Sequence, residues 1–256
     1  MNIKNLFDLL KIWKRLGFFS FLGVLLGMLQ KVPICIPLGD GKYLVNPERA
    51  VIYHLANSIS KLTRLVQAIP DAETSVILDV GANCGLFSVL AAQRFPAARI
   101  YAFEPAPELA VLASENLKVH GGVVVQKAVA DKSGEAMLFV NKDSQQTNSI
   151  IKDAVVAVGK LSGEYKVEAI SLDDFARSEG LDEIDLLKLD VQGAESLVLA
   201  GATEILKKTR ALIVEVSFLD PSAQTLMQLL ADHFPVWRPV NPVLFGADIL
   251  FLRDGE

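Results

Sequence analysis

The turn Asp-Val-Gly-Ala-Asn-Cys-Gly at residues 79–85 carries the clearest chemical signal in this chain. Gly81 and Gly85 allow backbone amides to approach a ligand closely. A dinucleotide loop has the spacing G-x-G-x-x-G, whereas these two glycines have the spacing G-x-x-x-G. Asp79, which precedes the first glycine, suits a cationic amino-acid group better than a pyrophosphate. The turn therefore predicts a nucleotide-type cofactor site that is not a pyrophosphate loop.

A second acidic residue, Glu104, follows a predicted strand and directly precedes Pro105. A carboxylate at such a strand end can accept hydrogen bonds from both hydroxyl groups of a ribose. Together with the turn at residues 79–85, Glu104 predicts a cofactor that contains a ribose.

Three further carboxylates are candidates for removing a proton from a substrate. Asp190 and Glu215 are expected at strand ends, and Glu195 follows at the start of a helix, where a carboxylate can also simply cap the helix. Lys188 alternates with Asp190 along the strand, so we expect these two residues to pair. We predict no metal, but leave open that Asp190 and Glu215 jointly hold a divalent cation.

A parallel sheet would bring these residues to one edge. Strands are predicted at 75–80, 99–103, 123–129, 184–189 and 211–216, and helices at 86–95, 108–120, 194–207 and 221–233. Such alternation predicts an α/β fold with right-handed crossovers and helices on both faces of the sheet. Ligands bind at the carboxyl ends of the strands in this architecture. Short strands at 236–238 and 248–252 are expected to add an antiparallel edge.

Two regions fall outside this alternation. Residues 133–170 predict an antiparallel insertion, with strands at 136–140 and 165–170 around a polar loop. Residues 34–45 predict a hairpin around Gly39-Asp40-Gly41, and a helix follows from about residue 47 to residue 68. We therefore divide the chain into an N-terminal cap, residues 1–70, and a cofactor-binding domain, residues 71–256. Acceptor contacts are expected from the insertion and the cap.

The N-terminal segment contains an apolar run from Leu16 to Leu29, preceded by an amphipathic helical pattern. The run is shorter than the roughly 20 apolar residues of a membrane-spanning helix, and no small-x-small cleavage site follows it. Neither spanning nor secretion is expected. The amphipathic pattern fits a helix packed on the flank of the domain or an in-plane membrane anchor.

The composition of the chain limits the kinds of binding partner that we expect. The chain has 256 residues, of which 51% are hydrophobic, and a net charge of −5 without a long basic stripe, so a nucleic acid is not expected as partner. Cys35 and Cys84 are far apart and lack CxxC spacing, which argues against a disulfide framework and a zinc cluster. We expect a cytoplasmic protein, with peripheral contact at the inner membrane face as the alternative. The sequence predicts no particular oligomeric state.

Five segments resemble the FkbM-type S-adenosylmethionine-dependent methyltransferases. The turn at 79–85 resembles the first motif of that family, and Phe-Glu-Pro at 103–105 the second. Ser-Leu-Asp-Asp-Phe at 171–175 resembles the segment before the fourth strand, Leu-Lys-Leu-Asp-Val-Gln-Gly-Ala-Glu at 187–195 the fourth-strand signature, and Ile-Val-Glu at 213–215 the fifth strand. The resemblance covers roughly residues 75–217. Gln192 stands where many members carry Glu.

The resemblance implies a Rossmann-like class I methyltransferase sheet and O-methylation of a hydroxyl on a sugar, glycan, lipid or secondary metabolite. The cofactor would be S-adenosylmethionine and the partner a small-molecule or glycan acceptor. By matching positions, the cofactor-binding residues are Asp79, Gly81, Ala82, Asn83, Gly85, Glu104, Pro105 and Asp131. The turn would face the methionine part, Glu104 the ribose and Asp131 the adenine amino group, although Asp131 also fits an ordinary turn.

Two other functions remain open at this point. A nicotinamide-dependent oxidoreductase can share the fold, but the dinucleotide loop lacks its central glycine. A non-catalytic, membrane-associated nucleotide-binding module is the other alternative, and the intact set of motif residues argues against it.

Overall fold

The computed structural model describes residues 33–38, 41–45, 49–70, 74–142, 144, 147–218, 223–243 and 246–253. The predicted amphipathic helix and apolar run near the N-terminus lie outside these residues, as do Gly39 and Asp40 of the predicted hairpin turn. Each helix within the described residues is too short or too polar to span a bilayer.

The elements follow one another in this order: β1 (Ile34–Leu38), β2 (Gly41–Val45), α1 (Arg49–Ala68), β3 (Val76–Val80), α2 (Leu86–Arg94), β4 (Arg99–Phe103), α3 (Pro107–Leu117), β5 (Val123–Val125), β6 (Ala128–Val129), β7 (Gly134–Asn141), α4 (Lys152–Val158), β8 (Leu161–Ile170), α5 (Leu172–Glu179), β9 (Ile184–Leu189), α6 (Glu195–Ala200), β10 (Thr209–Ser217), α7 (Ala223–His233), β11 (Val236–Val243) and β12 (Gly246–Leu252). Short 3-10 segments follow α3 at Lys118–His120 and precede β10 at Ile205–Lys208.

The main sheet has seven strands in the order β11-β12-β10-β9-β3-β4-β5. The five strands from β10 to β5 are parallel, and β12 runs antiparallel to both β10 and β11. The strand order reverses between β3 and β9, which is where an open sheet forms its ligand crevice. This is the class I methyltransferase arrangement that the resemblance implies. The antiparallel strand lies one position inside the edge, because β11 pairs with β12 as the outermost strand.

Helices cover both faces of the sheet, as expected. Along β3, Ile77 points toward α1 and α2, where it packs in one cluster with Leu65 and Phe87. Its neighbour Leu78 points the other way, into the cluster that holds Phe175 of α5. All five residues of β3 are buried, which is the pattern of a strand covered on both sides.

Two predicted elements are divided in the structure. The strand predicted at 123–129 becomes β5 and β6, because a tight turn in which the Lys127 amide donates to the Val125 carbonyl redirects the chain into a second sheet. The helix predicted at 194–207 ends at Ala200, and a 3-10 segment follows later. Gly201 ends it where the backbone passes close to Ala130: a Cβ at Gly201 would lie 2.3 Å from the Ala130 carbonyl oxygen.

Two helices, α4 and α5, were not predicted. For α5 a signal was present, since the Ser171 hydroxyl accepts a hydrogen bond from the Asp174 amide at the helix start. Within residues 133–170 the two expected strands appear as the antiparallel pair β7 and β8. β6, which was not expected there, pairs parallel to β8 and completes a three-stranded sheet of order β6-β8-β7.

The predicted hairpin is confirmed as the antiparallel pair β1 and β2. Its buried residues Ile36 and Tyr43 pack in one cluster with Leu109 and Leu112 of α3. The later half of α1 packs on the main sheet beside α2. The division of the chain at residue 70 stays a prediction.

Candidate functional site

A cavity of about 340 Å³ lies at the carboxyl ends of β3, β4 and β9. Its walls include seven of the residues proposed from the sequence, which are Gly81, Ala82, Asn83, Glu104, Pro105, Asp190 and Glu215. The hairpin contributes Tyr43, and the insertion contributes the loop at 147–150. The structure thus brings the cofactor turn, the predicted ribose ligand and two candidate bases to one cavity.

The turn after β3 follows an unusual backbone path. Gly81 and Gly85 have φ angles of 80° and 81°, and Asn83 between them has a φ of 53°. A Cβ on Gly81 would lie 1.9 Å from the Asp190 carbonyl oxygen, so this position requires glycine. The turn therefore rests directly on the end of β9. Gly85 begins α2 and lies outside the lining of the cavity.

Glu104 is 7% exposed and faces the cavity from the end of β4. Its two carboxylate oxygens accept hydrogen bonds of 2.9 Å from the backbone amides of Asn83 and Ala106. Burial raises the pKa of Glu104 to about 7, against the lowering effect of these two amides. Each oxygen retains a second lone pair that can accept a hydrogen bond from a ligand hydroxyl.

Asp79 is fully buried and lies behind the cavity wall rather than in its lining. Its carboxylate accepts hydrogen bonds from the Ser88 hydroxyl at 2.6 Å and from Lys188 Nζ at 3.0 Å. The expected pair between Lys188 and Asp190 is present at 3.7 Å, but Asp79 is the closer partner. Although burial opposes it, these two carboxylates raise the pKa of Lys188, so its ammonium group is held charged between β3 and β9.

Asp190, at the end of β9, and Glu215, in β10, form a carboxylate pair bridged by Gln192. The Gln192 amide donates to Asp190 Oδ1 at 2.8 Å and to Glu215 Oε2 at 3.1 Å. Gln192 has a φ of 53°, a strained conformation of the kind that clusters at functional sites. A glutamate at position 192 would add a third carboxylate here. The glutamine instead holds the other two together.

The two carboxyl groups of this pair differ in their protonation. Although burial opposes it, the positive charges of Lys188 and Lys61 lower the pKa of Asp190. The negative charge of Asp190, followed by burial, raises the pKa of Glu215 to about 7, against the opposing charge of Lys61. Asp190 therefore stays ionised at neutral pH, whereas Glu215 can take up or release a proton.

Lys61 is a residue of the site that the sequence reasoning missed. It reaches the cavity from α1, and its Nζ lies 2.9 Å from Glu215 Oε1 and 3.1 Å from Asp248 Oδ1. The cation beside Glu215 is thus an ammonium group, and the described part of the chain contains no group of three or more His, Cys, Asp or Glu residues suited to a metal ion. No motif marks Lys61, because its partners lie far away in the sequence.

Besides Asp79 and Gly85, two further predicted site residues do not line this cavity. Glu195 begins α6 and is buried; its Oε1 accepts hydrogen bonds from the amides of Val191 and Gly193 at 3.2 and 3.3 Å. Asp131 is exposed and is not part of the cavity wall.

A further residue that sequence reasoning missed is Asn116 of α3. Its side-chain amide donates to the carbonyls of Leu44 and Cys84, and its oxygen accepts from the Leu44 amide. Asn116 thereby ties the hairpin to the cofactor turn.

Comparison with known proteins now identifies the family. The Methyltransferase FkbM domain model matches residues 79–234, more than half of the chain. The 2-O-methyltransferase NoeI of Sinorhizobium fredii is 32% identical over 168 residues, which cover 61% of this chain and 69% of NoeI. The 31-O-demethyl-FK506 methyltransferase FkbM of Streptomyces tacrolimicus is 29% identical over 202 residues, covering 68% of this chain and 78% of that protein.

A third relative is the hexuronic acid methyltransferase AglP of Haloferax volcanii, which is 28% identical over 154 residues, covering 60% of this chain and 61% of AglP. These matches favour a methyltransferase over the nicotinamide-dependent oxidoreductase that the sequence left open. The chain belongs to the FkbM family of S-adenosylmethionine-dependent methyltransferases.

Proposed function

We propose that this protein methylates a hydroxyl oxygen of a small-molecule or glycan acceptor, with Glu215 as the general base. One observation carries the proposal: a carboxyl group with a pKa near 7 borders the same cavity as the cofactor turn and Glu104. The names of NoeI, FkbM and AglP support an oxygen, sugar-acid or secondary-metabolite acceptor for those relatives.

The residues of the cavity at the carboxyl ends of β3, β4 and β9 fit S-adenosylmethionine. Gly81, Ala82 and Asn83, which line the cavity, would contact the amino-acid part, and Pro105 would flank the ribose. Glu104 would accept the ribose hydroxyls with the lone pairs that its backbone partners leave available. Asp79 and Gly85 would act indirectly: Asp79 anchors Lys188 and Ser88 beneath the turn, and Gly85 starts α2.

The base follows from the protonation of the carboxylate pair. S-adenosylmethionine supplies a methyl group whose bond to a positively charged sulfur breaks as the bond to the acceptor oxygen forms. Glu215 accepts the proton of the acceptor hydroxyl, and a base with a pKa near the working pH is the most effective. Asp190 remains ionised and keeps the pKa of Glu215 high, while Gln192 orients both carboxyl groups.

Glu195 and Asp131 have different places in this proposal. Glu195 Oε1 accepts hydrogen bonds from two backbone amides of the loop before α6, so we assign Glu195 to positioning that loop rather than to proton transfer. The adenine contact predicted for Asp131 receives no support from its exposed position.

Calorimetry with S-adenosylhomocysteine tests the cofactor site, and mass spectrometry tests the transfer. We expect binding to the full chain, and products heavier by one CH₂ unit after incubation with S-adenosylmethionine and a cell extract. Asp131→Asn is the matched control for Glu104→Gln, because both replace a carboxylate by an amide but only Glu104 lines the cavity. Absence of binding, or equal binding by wild type and Glu104→Gln, would contradict the proposed cofactor site. Binding without any methylated product would favour the non-catalytic module.

A cytoplasmic location with peripheral membrane contact through the N-terminal segment also stays a proposal. Sedimentation of the full chain with anionic liposomes tests it, with a Lys11→Glu, Lys14→Glu, Arg15→Glu variant as control. Equal sedimentation of the two proteins would argue against an electrostatic contact with the membrane.

A further inference from the structure

A second and larger cavity, of about 1530 Å³, lies next to the cofactor cavity. It is lined by residues of the helices α1, α4, α6 and α7 and of the β10, β12 and β11 end of the main sheet. The two cavities have four lining residues in common, which are Ser58, Lys61, Gln192 and Glu215. Glu215, its bridging amide and its counter-cation therefore form the boundary between the cavities.

The sizes of the two cavities assign them different contents. Small-molecule sites are typically about 300–1,000 Å³, so the first cavity, at about 340 Å³, has room for one cofactor and little else. An acceptor must still bring its hydroxyl to Glu215. The second cavity also reaches Glu215, whereas the turn residues 81–83 border only the first cavity.

We propose that the second cavity is the acceptor groove, and that it binds a neutral, hydroxyl-rich molecule longer than one sugar ring. This inference rests on the proposed O-methylation, since it assigns Glu215 to the end of the groove where the reacting hydroxyl lies. A volume above the usual range for a small ligand suits an extended acceptor.

The lining of the groove matches such an acceptor. Hydroxyl and amide side chains that can bind sugar hydroxyls line it, namely Asn57, Ser58, Ser60, Ser196 and Ser217. Apolar side chains of Ala157, Val158 and Leu226 also line the groove and can contact the C–H face of a sugar ring.

Charge argues for a neutral acceptor. Among the described residues that line the groove, four carry carboxylates, namely Asp153, Glu195, Glu215 and Asp248, and two are cationic, namely Lys61 and Arg64. Lys61 is already paired with Glu215 and Asp248. The excess of carboxylates disfavours an anionic ligand through like-charge repulsion.

Two tryptophan substitutions on α4 test the groove. Ala157 lines it, whereas its neighbour Val156 is 56% exposed and is not among the lining residues. We expect Ala157→Trp to reduce transfer of labelled methyl groups from S-adenosylmethionine into a cell extract by at least about tenfold, because a misplaced acceptor loses the reactive geometry. Binding of S-adenosylhomocysteine should be unchanged, and Val156→Trp should behave like wild type in both measurements.

The outcomes separate the groove from the proposed function. Full transfer by Ala157→Trp would overturn the groove while leaving the methyltransferase proposal intact. If wild type neither binds S-adenosylhomocysteine nor transfers label, the proposed function fails, and the groove falls with it. An anion exchanger then tests the charge of the acceptor: labelled product in the flow-through supports a neutral acceptor, and retained product overturns it.

Discussion

Two neighbouring regions are the cofactor turn and the carboxylate cluster, which consists of Asp190, Glu215 and Asp248 together with Lys61. They are in contact where Gly81 lies against Asp190, but they are assembled in different ways. The turn lies within residues 79–85, and its partner Glu104 ends the adjacent strand β4. The cluster draws Lys61 from α1, Glu215 from β10 and Asp248 from β12. A short motif thus shapes the turn and its partner Glu104, whereas the surroundings of Glu215 depend on the packing of distant elements.

The pKa values of Glu104, beside the turn, and Glu215, in the cluster, are similar for different reasons. Burial is the main cause that raises the pKa of Glu104 to about 7. For Glu215, the main cause is the negative charge of Asp190, with burial second. Ligand binding should therefore shift the pKa of Glu104, whereas a change of a charged neighbour should shift the pKa of Glu215. Four predictions separate these behaviours.

The largest effect is expected for Glu215→Gln, which removes the proposed base but keeps the shape of the side chain. The turnover number should fall about 10²–10⁴-fold, the usual contribution of a general base. Wild-type turnover should rise with pH through about pH 7, because the base acts only when deprotonated. Affinity for S-adenosylhomocysteine should be unchanged. A variant that keeps wild-type turnover and the same pH profile would refute the assignment.

Next in size is the loss of stability when the buried ion pair between Lys188 and Asp79 is broken. Lys188→Met leaves the Asp79 carboxylate buried without its cation, and we expect the free energy of unfolding to fall by about 3–5 kcal/mol. Urea denaturation measures this change. The double variant Asp79→Leu, Lys188→Met should recover part of it, since no unpaired charge remains. A double variant less stable than Lys188→Met would contradict this account.

A smaller effect is expected for Glu104→Gln on the cofactor side. Hydrogen bonds to a charged group contribute about 1.5–3 kcal/mol, so affinity for S-adenosylhomocysteine should fall about ten- to a hundredfold in calorimetry. Wild-type affinity should decrease from about pH 8 to about pH 6, because ribose hydroxyls prefer the ionised carboxylate, whose pKa is about 7. The variant should lose this pH dependence. Equal pH dependence in both proteins would show that another group titrates.

The smallest effect is expected for Lys61→Met, which removes the cation beside Glu215. Lys61 lowers the pKa of Glu215, so its loss should raise that pKa and move the pH–rate profile to the alkaline side by about one unit or more. Lys61→Arg keeps the charge and should restore the wild-type midpoint, whereas a merely structural role would lower turnover without moving it. Cofactor affinity should not change.

The sequence predicted the central strands well, and the reason lies in local composition. The bounds predicted for β4 and β9 agree with the structure, because both strands are short runs dominated by apolar residues. The predictions of the strand at 123–129 and the helix at 194–207 were wrong because contacts between distant parts of the chain divide these elements. Nothing near Gly201 indicates that its backbone passes against Ala130, a contact that leaves no space for a side chain.

The sequence by itself determined the fold family and the cofactor turn. Glycine permits the positive φ angles at Gly81 and Gly85, and parallel strands place Glu104 beside the turn. The tertiary structure alone decided the chemistry of Glu215. Lys61 and Glu215 are 154 positions apart, and a pKa depends on which charges and how much water surround a group in space. No spacing in the sequence encodes that neighbourhood.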